Sequence, residues 1–234
     1  PTKHSAKLTQ ATARDLNLIA SDNFGRAAAE NGIGKIIYIS GSRFDHETIQ
    51  RLSAYGVPVE QTEAIVSRPH VSVELQVSKY DDVRSALSIQ LPMNWTLDQM
   101  VEYYFNWLNE TKGTMLHAYK DKDNYVIYIK DKQKPVLVLH KMQVESDMIV
   151  LHLVSGSIVK ANVIKQGKLE FRMLKGTQTV LVHLYDYIPK LVWPVYYLFQ
   201  SPFQGLMLRG FEIDCRIKHF NGRIQSGEDI KYTK

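Results

Sequence analysis

The feature that most constrains this chain is a train of short apolar segments, set between turn signals, that fills residues 115–187. The candidate strands are Met115–Tyr119, Tyr125–Lys130, Val136–Met142, Met148–Val154, Ser157–Ile164, Leu169–Leu174 and Thr179–Tyr187. Asp121-Lys122-Asp123-Asn124, Asp131-Lys132, Glu145-Ser146-Asp147, Gln166-Gly167 and Lys175-Gly176 stand between them. Such short, turn-forming linkers join neighbouring antiparallel strands, whereas parallel strands need a long crossover. The pattern therefore predicts an antiparallel meander. Ahead of it, Val83, Ser85, Leu87, Ile89 and Leu91 alternate as on one face of a half-buried strand. Thr96-Leu97-Asp98-Gln99 then reads as a capping box, with Leu97, Met100, Val101, Tyr104 and Leu108 following on one helical face.

The first part of the chain has a different order. Leu16, Ile19, Ala20, Phe24, Ala27 and Ala28 recur at helical spacing, and Asn31-Gly32 supplies a stop. Lys35-Ile36-Ile37-Tyr38-Ile39-Ser40 is an apolar, β-branched run expected to form a strand buried on both faces. Asp45 is placed to cap a short helix that turns Ile49 and Leu52 inward and ends near Gly56. Val57–Val66 reads as a second, parallel strand, joined through a right-handed crossover. The change of texture near Arg68-Pro69 divides the chain into 1–68 and 69–234. The expected fold class is α+β: a partial Rossmann-like β/α segment, then an antiparallel helix-grip (START-like) sheet closed by a C-terminal helix. A cavity between that sheet and that helix is the natural place for a ligand.

Composition narrows the function classes. The 234 residues carry a net charge of +5, and the lysines of Lys120–Lys134 alternate with Asp121, Asp123 and Asp131. No basic block of the kind that tracks a phosphate backbone is present, which argues against a nucleic-acid partner. Cys215 is the only cysteine, which excludes an intrachain disulfide framework and points to a cytoplasmic home. Pro1–Gln10 lack the apolar core of a signal peptide, and a start at Pro1 without methionine reads as that of a fragment. Leu191–Phe199 is apolar and aromatic but too short to span a bilayer, so membrane contact would be peripheral at most. Pro194 and Pro202 are expected to break the helical stretch from Lys190 to Ile213.

Candidate chemistry is sparse. No G-x-G-x-x-G or G-x-S-x-G occurs, and Gly32-Ile33-Gly34 lies between a helix and a strand, the wrong order for holding phosphate. His140, His152 and His183 fall on expected strands but lack a metal-binding spacing. Glu170 and Arg172 share a strand face and read as a surface pair.

Asn23-Phe24-Gly25-Arg26-Ala27-Ala28 with Ile36-Ile37-Tyr38-Ile39-Ser40-Gly41 resembles the middle of atypical short-chain dehydrogenase/reductases of the NmrA-like kind. Gly56-Val57-Pro58-Val59 and Tyr104-Phe105-Asn106-Trp107-Leu108 are similar to later parts of members with a C-terminal extension. Pro189-Lys190, Trp193, Tyr196-Tyr197 and Pro202-Phe203 resemble the close of such extensions. The resemblance implies NAD(P) as cofactor, with Ser40, Gly41 and Ser42 bordering the nicotinamide. The family's glycine-rich loop is missing, and the formal Tyr-x-x-x-Lys match, Tyr128 and Lys132, spans a strand and a turn rather than one helix. Three readings follow. In the first, a reductase-like protein without its nucleotide loop binds an apolar small molecule through Tyr104, Trp107, Trp193, Tyr197 and Phe203. In the second, the chain is an active oxidoreductase or epimerase-like enzyme whose cofactor half lies upstream or in a partner. In the third, it is an interaction module or homo-oligomer built on an exposed strand edge.

Overall fold

The computed structural model describes residues 8–39, 45–62, 83–110, 115–130, 132–160, 166–191, 198 and 200–228. The chain separates into two compact units, one of residues 11–81 and one of 82–234 together with 1–10. The boundary expected at Arg68-Pro69 lies outside the described residues.

The smaller unit is a β-α-β segment preceded by a helix. Helix α1 (Ala13–Glu30) starts with a capping box between Thr12 and Asp15. Strand β2 (Ile36–Ile39), helix α2 (Asp45–Ser53) and strand β3 (Val59–Thr62) follow, and β2 pairs with β3 in parallel. Strand β2 is not buried on both faces as expected: Ile36 packs with Ala28, Leu52 and Val57, while Ile37 and Ile39 are exposed. The inward face of α1 differs from the expected one. Leu18, Ser21, Asp22, Gly25 and Ala28 are buried, while Phe24 is exposed. The physical reason is close helix–helix contact: a Cβ on Gly25 would lie 2.7 Å from the Leu52 carbonyl oxygen. Polar groups fill the rest of that face, with the Tyr55 hydroxyl donating to Asp22 at 3.0 Å and Asn17 to Thr48 at 2.6 Å.

The larger unit is built on one sheet of order β1-β4-β10-β9-β8-β7-β6-β5. Strand β1 (Leu8–Gln10) pairs with β4 in parallel, and the seven strands from β4 onward pair antiparallel. These are β4 (Val83–Gln90), β5 (Leu116–Asp121), β6 (Asn124–Ile129), β7 (Leu137–Glu145), β8 (Met148–Ser155), β9 (Lys168–Met173) and β10 (Thr179–Tyr187). Helix α3 (Leu97–Glu110) sits between β4 and β5 in sequence, and helix α4 (Ser201–Gln225) closes the chain. The last strand returns beside β4, the first of the seven, which makes the order helix-grip-like. The capping box at Thr96 forms in both directions, with Thr96 N donating to Gln99 Oε1 and Gln99 N to Thr96 Oγ1. Pro202 does not break a helix; it occupies the first turn of α4, where no intrahelical N–H bond is lost.

The segment expected as a strand over Ser157–Ile164 is not one where it is described. Gly156, at φ +144°, packs so tightly that a Cβ would lie 2.2 Å from the Val136 carbonyl oxygen. The chain turns there and crosses the ends of the strands, with Ser157 N donating to Pro135 O and Lys160 N to Ile188 O.

Alternation sorts the sheet into two faces. Phe171, Val180, Val182, Ile149, Leu151 and Leu139 point into the core with Met100, Phe105 and Leu108 of α3. The other face carries a polar row. Glu170 and Arg172 pair there at 2.7 Å, but both side chains are largely buried rather than on the surface. The Tyr185 hydroxyl donates to Glu170, and the His183 ring lies 4.8 Å from that of Tyr185.

Candidate functional site

The aromatic residues of α3 fill much of the space beneath α4. Phe211 of α4 is fully buried, with ring centroids of Tyr104 at 5.0 Å and Trp107 at 5.6 Å. Gly210 permits this approach, since a Cβ there would meet the Trp107 ring at 3.2 Å. Phe105 stacks on Tyr125 at 4.0 Å, and the Tyr125 hydroxyl donates to Glu102. Burial pushes the Tyr104 phenol up to about 12, so it stays protonated. Cys215 is packed in the same layer, and burial pushes its thiol up to about 12, out of the reactive range.

Space remains at one end of the sheet. A pocket of about 430 Å³ is lined by the end of β8 (Leu153, Val154, Ser155), the turn at Gly156, Val159 and Lys160, Gln166-Gly167 before β9, and Tyr187-Ile188 after β10. The crossing strand-end segment forms one wall, because Val159 bridges to Pro189 and Lys190 N donates to Ile158 O. Tyr187 is the fixed point of the other wall. Its hydroxyl donates to Ile158 O at 3.0 Å and accepts from Gln200 Nε2 at 2.6 Å. Gln200 Oε1 is buried without a hydrogen-bond partner among the described residues. Leu153, Val159 and Ile188 give the pocket an apolar side, while Ser155, Lys160 and Gln166 supply polar groups. The lining is thus at least as polar as it is apolar.

The histidines do not assemble. His140 and His152 are cross-strand neighbours in register, but Lys168 stands beside His152 on the next strand. Burial, then the Lys168 and His140 charges, lower the His152 pKa. His183 lies opposite Glu170, and burial, reinforced by Arg172 and Arg84, lowers its pKa to about 4. No group of three or more potential metal ligands occurs among the described residues. Nor is any helix among them long and apolar enough to cross a membrane.

The comparisons with known proteins give one close relative. Auxiliary protein GraX of Staphylococcus aureus (strain NCTC 8325 / PS 47) is 55% identical over 234 residues, which cover 100% of this chain and 76% of that protein. The chain belongs to the GraX family. No family model matches it. Among solved structures, an uncharacterised Bacillus thuringiensis protein aligns at a TM-score of 0.33 and 10% identity, covering 59% of this chain and 95% of its own. The Zhui aromatase/cyclase from Streptomyces sp. R1128 aligns at 0.29 and 9% identity, covering 64% and 98%.

Kinship with GraX corrects the resemblance to NmrA-like dehydrogenase/reductases. The motifs behind that resemblance were structural: a helix, a strand and their turns, which folds of different families share. Of the residues expected to hold ligands, Ser40, Gly41, Ser42, Trp193 and Tyr197 lie outside the described residues. Tyr104 and Trp107 come together around Phe211, as packing between α3 and α4, and Phe203 is 42% exposed. Tyr128 is on β6, stacked on Tyr119, with Lys132 beyond the strand. The pocket residues themselves were not singled out from the sequence. Gln166-Gly167 was visible only as a turn, and Ser157–Ile164 read as one more strand.

Proposed function

We propose that the antiparallel domain binds a small molecule with an apolar body and a hydrogen-bonding end, and that the chain acts by binding rather than by catalysis. The observation that carries this reading is the pocket of about 430 Å³ at the sheet's end. Leu153, Val159 and Ile188 would receive the apolar body, and Lys160, Gln166 and Ser155 the polar end. The lysine favours an acidic or strongly accepting group there. The Tyr187 hydroxyl is engaged on both sides by Ile158 and Gln200, so it serves as wall rather than as acid or base. A binding role also suits the word "auxiliary" in the name of the GraX relative.

Native mass spectrometry of the purified chain tests this directly, run beside Val159→Trp, which fills the pocket. A small-molecule adduct carried by the parent chain and lost in the variant is the expected result. An adduct retained by Val159→Trp would move the site elsewhere.

A further inference from the structure

Tyr104 of α3 is the exception among the described tyrosines. Every other one has a partner for its hydroxyl, as Tyr103 has Asp214, Tyr125 has Glu102 and Tyr187 has Ile158. The Tyr104 hydroxyl has none among the described residues. Its ring is nonetheless set deep in the unit, with ring centroids of Phe211 at 5.0 Å, Phe105 at 5.2 Å and Phe171 at 6.0 Å. A buried hydroxyl left unbonded is destabilising and rare in folded proteins.

The core face of the sheet leads from Tyr104 towards the pocket. Tyr104 keeps some accessible surface although protein surrounds it, so it borders a space. Phe171 beside it and Val182, paired with Phe171, are fully buried. One step along the same face, the cross-strand pair Leu169 and Leu184 is only partly buried. One step further on β9 stands Gly167, which lines the pocket at the sheet's end. Phe171 and Gly167 are four residues apart, about 13 Å of strand.

We propose that a ligand seated in the sheet-end pocket reaches along this face and presents an acceptor oxygen, carbonyl or hydroxyl, to the Tyr104 hydroxyl. This rests on the reading of the pocket as a binding site, and it narrows the ligand class. The acidic end stays at Lys160, the apolar body passes Leu169 and Leu184, and an oxygen stands at the inner end. A plain hydrocarbon tail would leave the hydroxyl unmet. No charged partner draws the proton from Tyr104, so it donates and orients the ligand without reacting.

The test uses prodan, a naphthalene ketone whose emission moves to the red when its carbonyl accepts a hydrogen bond. Tyr104→Phe removes the hydroxyl alone. It should weaken prodan binding about fivefold and shift the bound emission to the blue, while Val159→Trp should abolish binding. Without prodan, Tyr104→Phe should melt no lower than the parent, whereas Tyr103→Phe, which loses its bond to Asp214, should melt lower. Equal affinity and emission in the parent and Tyr104→Phe, with binding lost in Val159→Trp, would overturn this inference and leave the pocket standing. A Tyr104→Phe chain that melts lower would also overturn it, because the hydroxyl would then have a partner within the fold. Binding retained by Val159→Trp, or no binding by the parent, would overturn the pocket reading and this inference together.

Discussion

The two units of this protein are stabilised in different ways. In the antiparallel unit a single cluster joins the sheet, α3 and α4, from Val83 and Ile89 through Phe105 and Trp107 to Phe171 and Phe211. In the smaller unit the buried apolar cluster among the described residues is Ala28, Ile36, Leu52 and Val57. Among the described residues Leu18 is buried as well, together with the polar Asp15, Ser21, Asp22, Thr48 and Arg51. Apolar burial contributes stability roughly in proportion to area, while hydrogen bonds mostly replace bonds to water. A large dry core can therefore tolerate a pocket at its edge. Among its described residues, the smaller unit shows close backbone approach at Gly25 and a few well-placed polar contacts.

The strongest way to break this contrast is to remove the centre of the large core. Phe211→Ala deletes the ring shared by Tyr103, Tyr104 and Trp107. It should cost about 3–5 kcal/mol, measured as a lowered denaturation midpoint at unchanged slope. An effect below about 1 kcal/mol would mean that α4 is not integral to the domain.

The next test uses acid. His183 has its pKa lowered from the ordinary 6.5 to about 4 by burial, with Arg172 and Arg84 adding to it. Below pH 6.5 the unfolded chain takes up a proton that the folded chain refuses. Its contribution is thus fully present above pH 6.5 and is lost as pH falls toward about 4, approaching about 3 kcal/mol. Melting curves of the parent chain and His183→Gln between those limits should converge as pH falls. Parallel curves would show that His183 titrates normally.

A smaller effect should fall on the other unit alone. Gly25→Ala places a methyl group 2.7 Å from the Leu52 carbonyl oxygen, so α1 must move away from α2. The expected cost is about 1–3 kcal/mol, read as faster amide exchange in α1 and α2 with β4–β10 unchanged. Slower exchange in α1 would contradict the close packing.

The sequence was most legible where local chemistry decides structure. The Thr96–Gln99 box formed as expected, and six of the seven meander segments became strands because alternation and turn residues agreed. It misled where a contact distant in sequence decides. Phe24 looked inward on helical spacing, yet Gly25 and its contact with Leu52 turned α1 the other way. Ser157–Ile164 had strand composition, but the tight turn at Gly156 against Val136 redirects its described part, residues 157–160, into the pocket wall. The pocket itself assembles the ends of β8, β9 and β10, whose adjacency comes from sheet order rather than from any motif.

The most direct test of the central claim is hydrogen exchange of the whole chain with and without anilinonaphthalene sulfonate, an apolar body with an acidic end. Binding at the sheet's end should slow exchange in residues 153–160 and 166–188 and leave α1, α2 and β3 unchanged. Protection confined to α1 and α2, or absent from the pocket segments despite probe fluorescence, would contradict the account.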